Sequence, residues 1–386
     1  MTIVKNGGRV RKVLVQVSMV TALLAAVATG ASAQDGVSKT TIAIGQSVAL
    51  TGAGSTLAVP FHQGAKMYFD RVNAAGGING RKIELITLDD QGRPATTAAN
   101  TRKLLEQGVL SLFGYYGSPQ VTAAYPLIKD GDVLLFAPMS AADEFRGAMY
   151  ANVYSMRPGY SEEAAAITRH AETLGARKLA ILHAGDGESL SALESAERTM
   201  TSLGANLVAK SPMSSGSLAN SVDQALAKRP ESVLVISDAS SAASVVRDLR
   251  AKGFRGPIYG FSNTGESLLA EQLGPAGAGV VVVRVVPKSD NPKMAVVREL
   301  QADAAAANLG KPNVYMLEGY IAARVYTEAL RRIATGKEPN RARLKKAIDA
   351  LDDISVGGFR VHFAEERVAS KLVELSLIDS QGRVRE

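Results

Sequence analysis

One cycle recurs along this chain: a short apolar strand, a helix, a glycine that stops the helix, a tight turn, then the next strand. Thr41 to Ala49 reads as an apolar, β-branched strand. Phe61, Ala65, Tyr68, Phe69 and Val72 then recur at helical spacing until Asn73-Ala74-Ala75-Gly76-Gly77 ends the helix. The next strand is Ile83 to Leu88, followed by a helix near 95–107, a strand at 109–114, a helix near 119–130 and a strand at 133–137. The cycle restarts after Tyr154-Ser155-Met156-Arg157-Pro158-Gly159. A helix near 161–174 stops at Gly175 before the strand Lys178 to His183. A helix near 189–203 stops at Gly204 before Ala205 to Lys210. Helix 217–228, strand 232–236, helix 241–251 and a strand near 257–260 follow. Strands without polar alternation are buried on both faces, and parallel strands need helical crossovers. The expected fold is therefore α/β, with two Rossmann-like lobes built on parallel sheets.

Past Pro287 the pattern changes. Two long helices are expected near 292–308 and 313–335, and a shorter one near 341–351. Val314, Leu317, Ile321, Val325 and Ile333 mark one apolar face of the second. A strand pair near 358–363 and 371–378 comes next, and Asp379-Ser380-Gln381-Gly382 has turn chemistry.

The N-terminus reads as an export signal spanning 1–33. Lys5, Arg9, Arg11 and Lys12 precede a mostly apolar run of 15 residues, Val13 to Val27, too short to span a bilayer. Ala31-Ser32-Ala33 places small side chains where signal peptidase needs them, so cleavage is expected before Gln34. The chain has no cysteine, which excludes a lipid-anchored N-terminal cysteine, disulfides and cysteine-held metals. Without the leader, 40 basic face 37 acidic residues, a net +3 that gives no reason to expect nucleic acid as a partner.

Enzyme signatures are missing. Gly52-Ala53-Gly54 lacks the third glycine of a dinucleotide loop, because position 57 is Leu. No phosphate-binding Gly-Lys-Ser/Thr loop or G-x-S-x-G elbow occurs; Gly260-Phe261-Ser262-Asn263-Thr264 lacks the last glycine. The four histidines, at 62, 170, 183 and 362, are too dispersed for a helical metal pair. Asp89-Asp90 and Asp352-Asp353 read as strand ends or caps. Asp186 and Glu188 share one side of a loop, where capping of the following helix is an equal reading. Neither catalysis nor a cofactor is expected.

The loops at strand ends offer a binding cleft instead, since ligands of parallel sheets sit beyond the carboxyl ends of the strands. Tyr115-Tyr116-Gly117-Ser118-Pro119 reads as a helix start with Ser118 as N-cap, and Pro138-Met139-Ser140-Ala141-Ala142-Asp143 as a second. Each alone also reads as plain capping; paired, they would form a small anion clamp.

On these residues the mature chain resembles the Leu/Ile/Val-binding family of periplasmic solute receptors, the type I binding-protein fold of ABC importers. The most specific stretch runs from Gly64-Ala65 through Val72-Asn73-Ala74-Ala75-Gly76-Gly77-Ile78-Asn79-Gly80-Arg81-Lys82 to Leu88-Asp89-Asp90. Ala49-Leu50-Thr51-Gly52, Gly117-Ser118, Ala137-Pro138 and Leu317-Glu318-Gly319-Tyr320 add to it. The resemblance implies two lobes joined by a three-segment hinge, with crossings near 156–159, 286–290 and 352–356. Lobe 1 would comprise 38–156 plus 289–352, and lobe 2 would comprise 157–288 plus 353–386.

It also implies a periplasmic, monomeric substrate-binding protein that captures a small carboxylate-bearing solute, a branched-chain or related amino acid, and delivers it to an inner-membrane ABC permease. The alternative is a periplasmic sensor for an amide or an organic or aromatic acid. Ser118 matches the residue that binds the ligand carboxylate in relatives. Met139 would offer a carbonyl and Ala141 an N–H, with Ser140 between them and Tyr116 beside Ser118. Leu57 replaces the aromatic that covers the ligand, and Glu188 replaces a tyrosine of the second lobe. The acid that pairs the ligand ammonium falls near Phe261 or Ser262, neither charged, leaving Asp238 or Glu188 for that role.

Overall fold

The computed structural model describes residues 1–2, 35–213, 218–333, 336–363 and 367–385; the expected signal peptide lies outside the described residues. The first alternating set folds as β1 (Thr41–Val48), α1 (Ser55–Ala74), β2 (Lys82–Asp89), α2 (Pro94–Glu106), β3 (Ser111–Phe113), α3 (Ser118–Ala124), β4 (Leu135–Phe136) and β5 (Val153–Tyr154). Its five strands pair in the order β2-β1-β3-β4-β5, all parallel. The helix expected to reach residue 130 ends at Ala124 and continues as a 3₁₀ turn over Tyr125–Leu127. Pro126 is the physical reason, since it lacks an N–H and its ring opposes the preceding turn.

The second set gives α4 (Tyr160–Thr173), β6 (Lys178–His183), α5 (Gly187–Ser202), β7 (Asn206–Pro212), α6 (Leu218–Ala227), β8 (Ser232–Ile236), α7 (Ala239–Ala251), β9 (Ile258–Gly260), α8 (Glu266–Leu273) and β10 (Val280–Arg284). There follow α9 (Ala295–Ala306), α10 (Val314–Arg332), α11 (Arg341–Asp349), β11 (Ile354–Val356), β12 (Phe359–Val361), β13 (Glu374–Ile378) and β14 (Val384–Arg385). The second sheet has seven strands in the order β14-β13-β10-β9-β8-β6-β7.

The expected pairing of 358–363 with 371–378 does not form. β12 pairs with β11 around Gly357-Gly358, while β13 joins β10 antiparallel and turns through Asp379–Gly382 into β14. β10 itself ends on Arg284, which is buried yet reaches the Glu374 carboxylate at 2.6 Å. A charge inside an apolar run thus closes a strand instead of breaking it.

Helices α9 and α10 return to the first sheet. Phe69, Phe113 and Phe136 surround Tyr326, with ring centroids 5.3–6.3 Å from it. The Tyr326 hydroxyl finds Ser111 Oγ at 2.6 Å, so this buried phenol is paired. α1 lies directly on α10: a Cβ on Gly64 would meet the Met316 carbonyl oxygen at 1.9 Å, and one on Gly319 the Phe61 carbonyl at 1.9 Å. Two glycines of the recognised motifs therefore permit backbone contact between these helices. No helix among the described residues is long and apolar enough to cross a membrane.

Candidate functional site

Strand order dictates where each lobe opens. In the first sheet β1 lies between β2 and β3, so the chains leaving β1 and β3 diverge. In the second, β6 lies between β7 and β8, and the chains leaving β6 and β8 diverge likewise. Such switch points create crevices at the carboxyl ends of strands. The two crevices face each other. A cavity of about 610 Å³ between them is lined from the first lobe by Gly54, Leu57 and Tyr116, and from the second by Glu188, Asp238 and Asn263. That size suits a small organic solute. Another cavity, of about 570 Å³, lies by Pro287, Phe359 and Leu372, away from these loops.

Local chemistry fixes each wall. Gly54 adopts φ +81°, and a Cβ there would sit 2.1 Å from the Tyr116 ring, so only glycine lets Tyr116 lie against the β1–α1 turn. Gly117, at φ +95°, is the residue before α3, and Ser118 is its first residue. Ser118 is thus not the N-cap expected from sequence. Its hydroxyl pairs with Ser140 Oγ at 2.7 Å instead, tying the β3 and β4 loops together. The same loops are zipped by Met139 N–H to the Tyr115 carbonyl (2.7 Å) and Gly117 N–H to the Met139 carbonyl (3.2 Å). The second expected helix start is only a 3₁₀ turn, Asp143–Arg146. Its Ala141 carbonyl accepts the Tyr160 N–H at 2.8 Å.

In the second lobe Asp186 and Asp238 cap helices. Asp186 accepts from Ser189 N–H and Oγ–H at 2.9 and 2.7 Å. Asp238 accepts from the N–H groups of Ser240 and Ser241 at 2.8 and 3.1 Å. Glu188 differs. Its carboxylate crosses the cleft to accept the Ser118 N–H at 2.5 Å and takes the Tyr160 O–H at 2.5 Å. Beside it the lobes touch, for a Cβ on Gly187 would lie 2.5 Å from Pro119 Cγ. Burial, then the facing Glu188 and Asp186 carboxylates, push the Tyr116 phenol above its ordinary range.

Of the residues singled out from sequence, Leu57, Tyr116, Glu188 and Asp238 line the cavity. Ser118 reaches it through its N–H to Glu188, with Ser140 behind. Met139 and Ala141 are buried in the loop packing, and Phe261 is fully buried against the Tyr160 ring at 5.2 Å.

Sequence reasoning passed over a buried polar network next to Asn263 of the cavity wall. Arg157 is buried between Glu318 of α10 and Glu163 of α4, each at 3.7 Å. It also bonds Ser262 Oγ, which with the Ser262 N–H is held by Glu163 at 2.7 and 2.8 Å. Tyr315 Oη donates to the Ser262 carbonyl at 2.7 Å. Burial raises both glutamates above the usual carboxylate range, only partly offset by the one guanidinium they share. The available signal was Arg157 inside a Pro-Gly crossing segment, an unusual place for a cation.

Two facing switch-point crevices on one chain are the build of a two-lobed receptor, and residues 41–380 match the family model described as periplasmic binding protein. The chain belongs to the periplasmic binding protein family. An amino acid binding protein of Pseudomonas aeruginosa is 24% identical over 147 residues, 38% of this chain and 39% of that one. The leucine-specific-binding protein of Salmonella typhimurium is 25% identical over 250 residues, 62% of this chain and 66% of that protein. These alignments span about two fifths and just under two thirds of the relatives' lengths. An extracellular ligand-binding receptor from Verminephrobacter eiseniae superposes with a TM-score of 0.83 at 26% identity, covering 90% of this chain and 100% of that one. The type I periplasmic binding-protein fold expected from sequence is therefore the fold observed, and the family is one of binders, not enzymes.

Proposed function

We propose that this periplasmic binding protein is the receptor of an ABC import system. It is exported through a cleavable leader at 1–33, captures a small solute of amino-acid size between its lobes, and hands it to an inner-membrane permease. The observation that carries this reading is the cavity itself: both lobes supply its wall, and they already touch through Glu188 and Ser118. Closure over a ligand removes water and strengthens each polar contact within. The names of the Pseudomonas and Salmonella relatives make amino acids and their derivatives the first solutes to try.

A micromolar receptor needs about −8 kcal/mol of net binding free energy, within reach of a few charge-assisted hydrogen bonds plus burial of an apolar chain against Leu57 and Tyr116. Thermal-shift screening identifies the solute, because a ligand at a hundred times its Kd adds about 2.7 kcal/mol to stability. X-ray scattering then reads closure. A smaller radius of gyration with the stabilising ligand is expected; an unchanged one contradicts the hinged capture.

A further inference from the structure

Building on the receptor reading, we propose that Glu188 sets the ligand class: the cleft takes a small solute that presents amide or ammonium N–H groups to this carboxylate and carries no free carboxylate of its own. Asp186, Glu188 and Asp238 line the cavity, and among the described residues no lysine, arginine or histidine does. The neighbouring cation, Arg157, is committed to Glu163, Glu318 and Ser262. A second carboxylate entering this space meets acids without a free counter-charge.

The next step is the donor inventory. The Ser118 N–H, which the family resemblance reserves for a ligand carboxylate, is already taken by Glu188 Oε2. The protein's own carboxylate sits where a ligand's would sit. Asp186 takes one bond on each oxygen from Ser189 and Asp238 takes three from Ser240 and Ser241, so both are oriented by their own helices and not across the cleft. Glu188 spends one lone pair of each oxygen, on Ser118 and Tyr160. A carboxylate has about four acceptor sites, so roughly two remain, held in place by one donor from each lobe. Asn263 also lines the cavity, its amide oxygen buried and without a hydrogen-bond partner among the described residues. The cleft thus carries neutral donors from Thr56, Tyr116 and Gln120, but its charged groups are all acids, which is the complement of a nitrogen-bearing solute without a carboxylate. Leu57 and the Tyr116 ring leave an apolar wall for its hydrocarbon part.

The test titrates the mature wild-type protein calorimetrically with matched acid, amide and amine sets sharing a methyl, isobutyl or benzyl group, plus leucine and leucinamide. In the best-fitting set the amide or amine should bind at least tenfold tighter than the acid, and leucinamide tighter than leucine. Glu188→Gln should weaken amine binding about tenfold or more and narrow the amide-over-acid preference. Rescue by Glu188→Asp on the amine separates this role from mere packing, and the wild-type preference needs no variant to fold. An acid or leucine binding as tightly as its amide overturns the ligand class and leaves the receptor intact. Silence across every set overturns both.

Discussion

Arg157 Nε lies 3.7 Å from a Glu318 carboxylate oxygen, and both side chains are nearly sealed from water. Glu163 approaches the same guanidinium from the other side, so α10 and α4, which belong to different lobes, are held to one cation. One buried polar network thus links the two helices.

Removing that cation leaves two acids without a partner. Arg157→Met is expected to cost about 3–5 kcal/mol of folding stability, the usual result of stripping one member from a buried ion pair. Urea denaturation measures it; a loss under about 1 kcal/mol would show the network to be incidental.

Glu318→Gln should behave differently. Burial, ahead of the opposing effect of Arg157, raises the folded-state Glu318 carboxyl above its ordinary 4.5. The folded protein then holds this proton more tightly than the unfolded chain. Stability from the protonated form is complete below about 4.5 and fades as pH climbs through the raised value. Glutamine imitates the protonated side chain. The variant should match wild type at pH 4.5 and gain on it toward neutrality. A difference that stays constant over that range contradicts the assignment.

Gly319→Ala puts a methyl group into the Phe61 carbonyl, and Gly64→Ala one into that of Met316, each 1.9 Å away. Backbone cannot swing aside as a side chain does, so either variant should lose about 1–3 kcal/mol as α1 and α10 part. Thermal melting checks this, with Gly76→Ala as a comparison where a Cβ would meet nothing within 4 Å but φ is +97°.

Gly54→Ala tests the cleft wall directly. Its Cβ would collide with Tyr116, and its φ of +81° suits no other residue well. Ligand affinity should fall at least tenfold, about 1.4 kcal/mol, with calorimetry as the readout. An unaltered Kd would remove Tyr116 from the site.

Much of this architecture is legible in the residues because strand, helix and stopping glycine are local signals. The helix before Gly175 and the strand from Lys178 to His183 need only neighbours in sequence to define them. What resisted reading is non-local. β13 pairs with β10 from about 90 residues earlier, and the partner of Arg284, Glu374, lies on that distant strand. The site divides the same way. Leu57 and Glu188 sit in the first turns of α1 and α5, and Tyr116 and Asp238 just beyond β3 and β8, places that periodicity locates. The bond from Ser118 to Glu188 joins residues 70 apart and depends on how two lobes meet. Ser118 has the chemistry of an N-cap, yet Gly117 at positive φ takes that position and frees the hydroxyl for Ser140.

A crystal structure of the protein with its stabilising solute is the most direct trial of the account. The prediction is ligand density between Tyr116 and Leu57 on one side and Glu188 and Asp238 on the other, with a ligand nitrogen on the Glu188 carboxylate. Density in the cavity beside Pro287, Phe359 and Leu372, with the space between the lobes left to water, would contradict it.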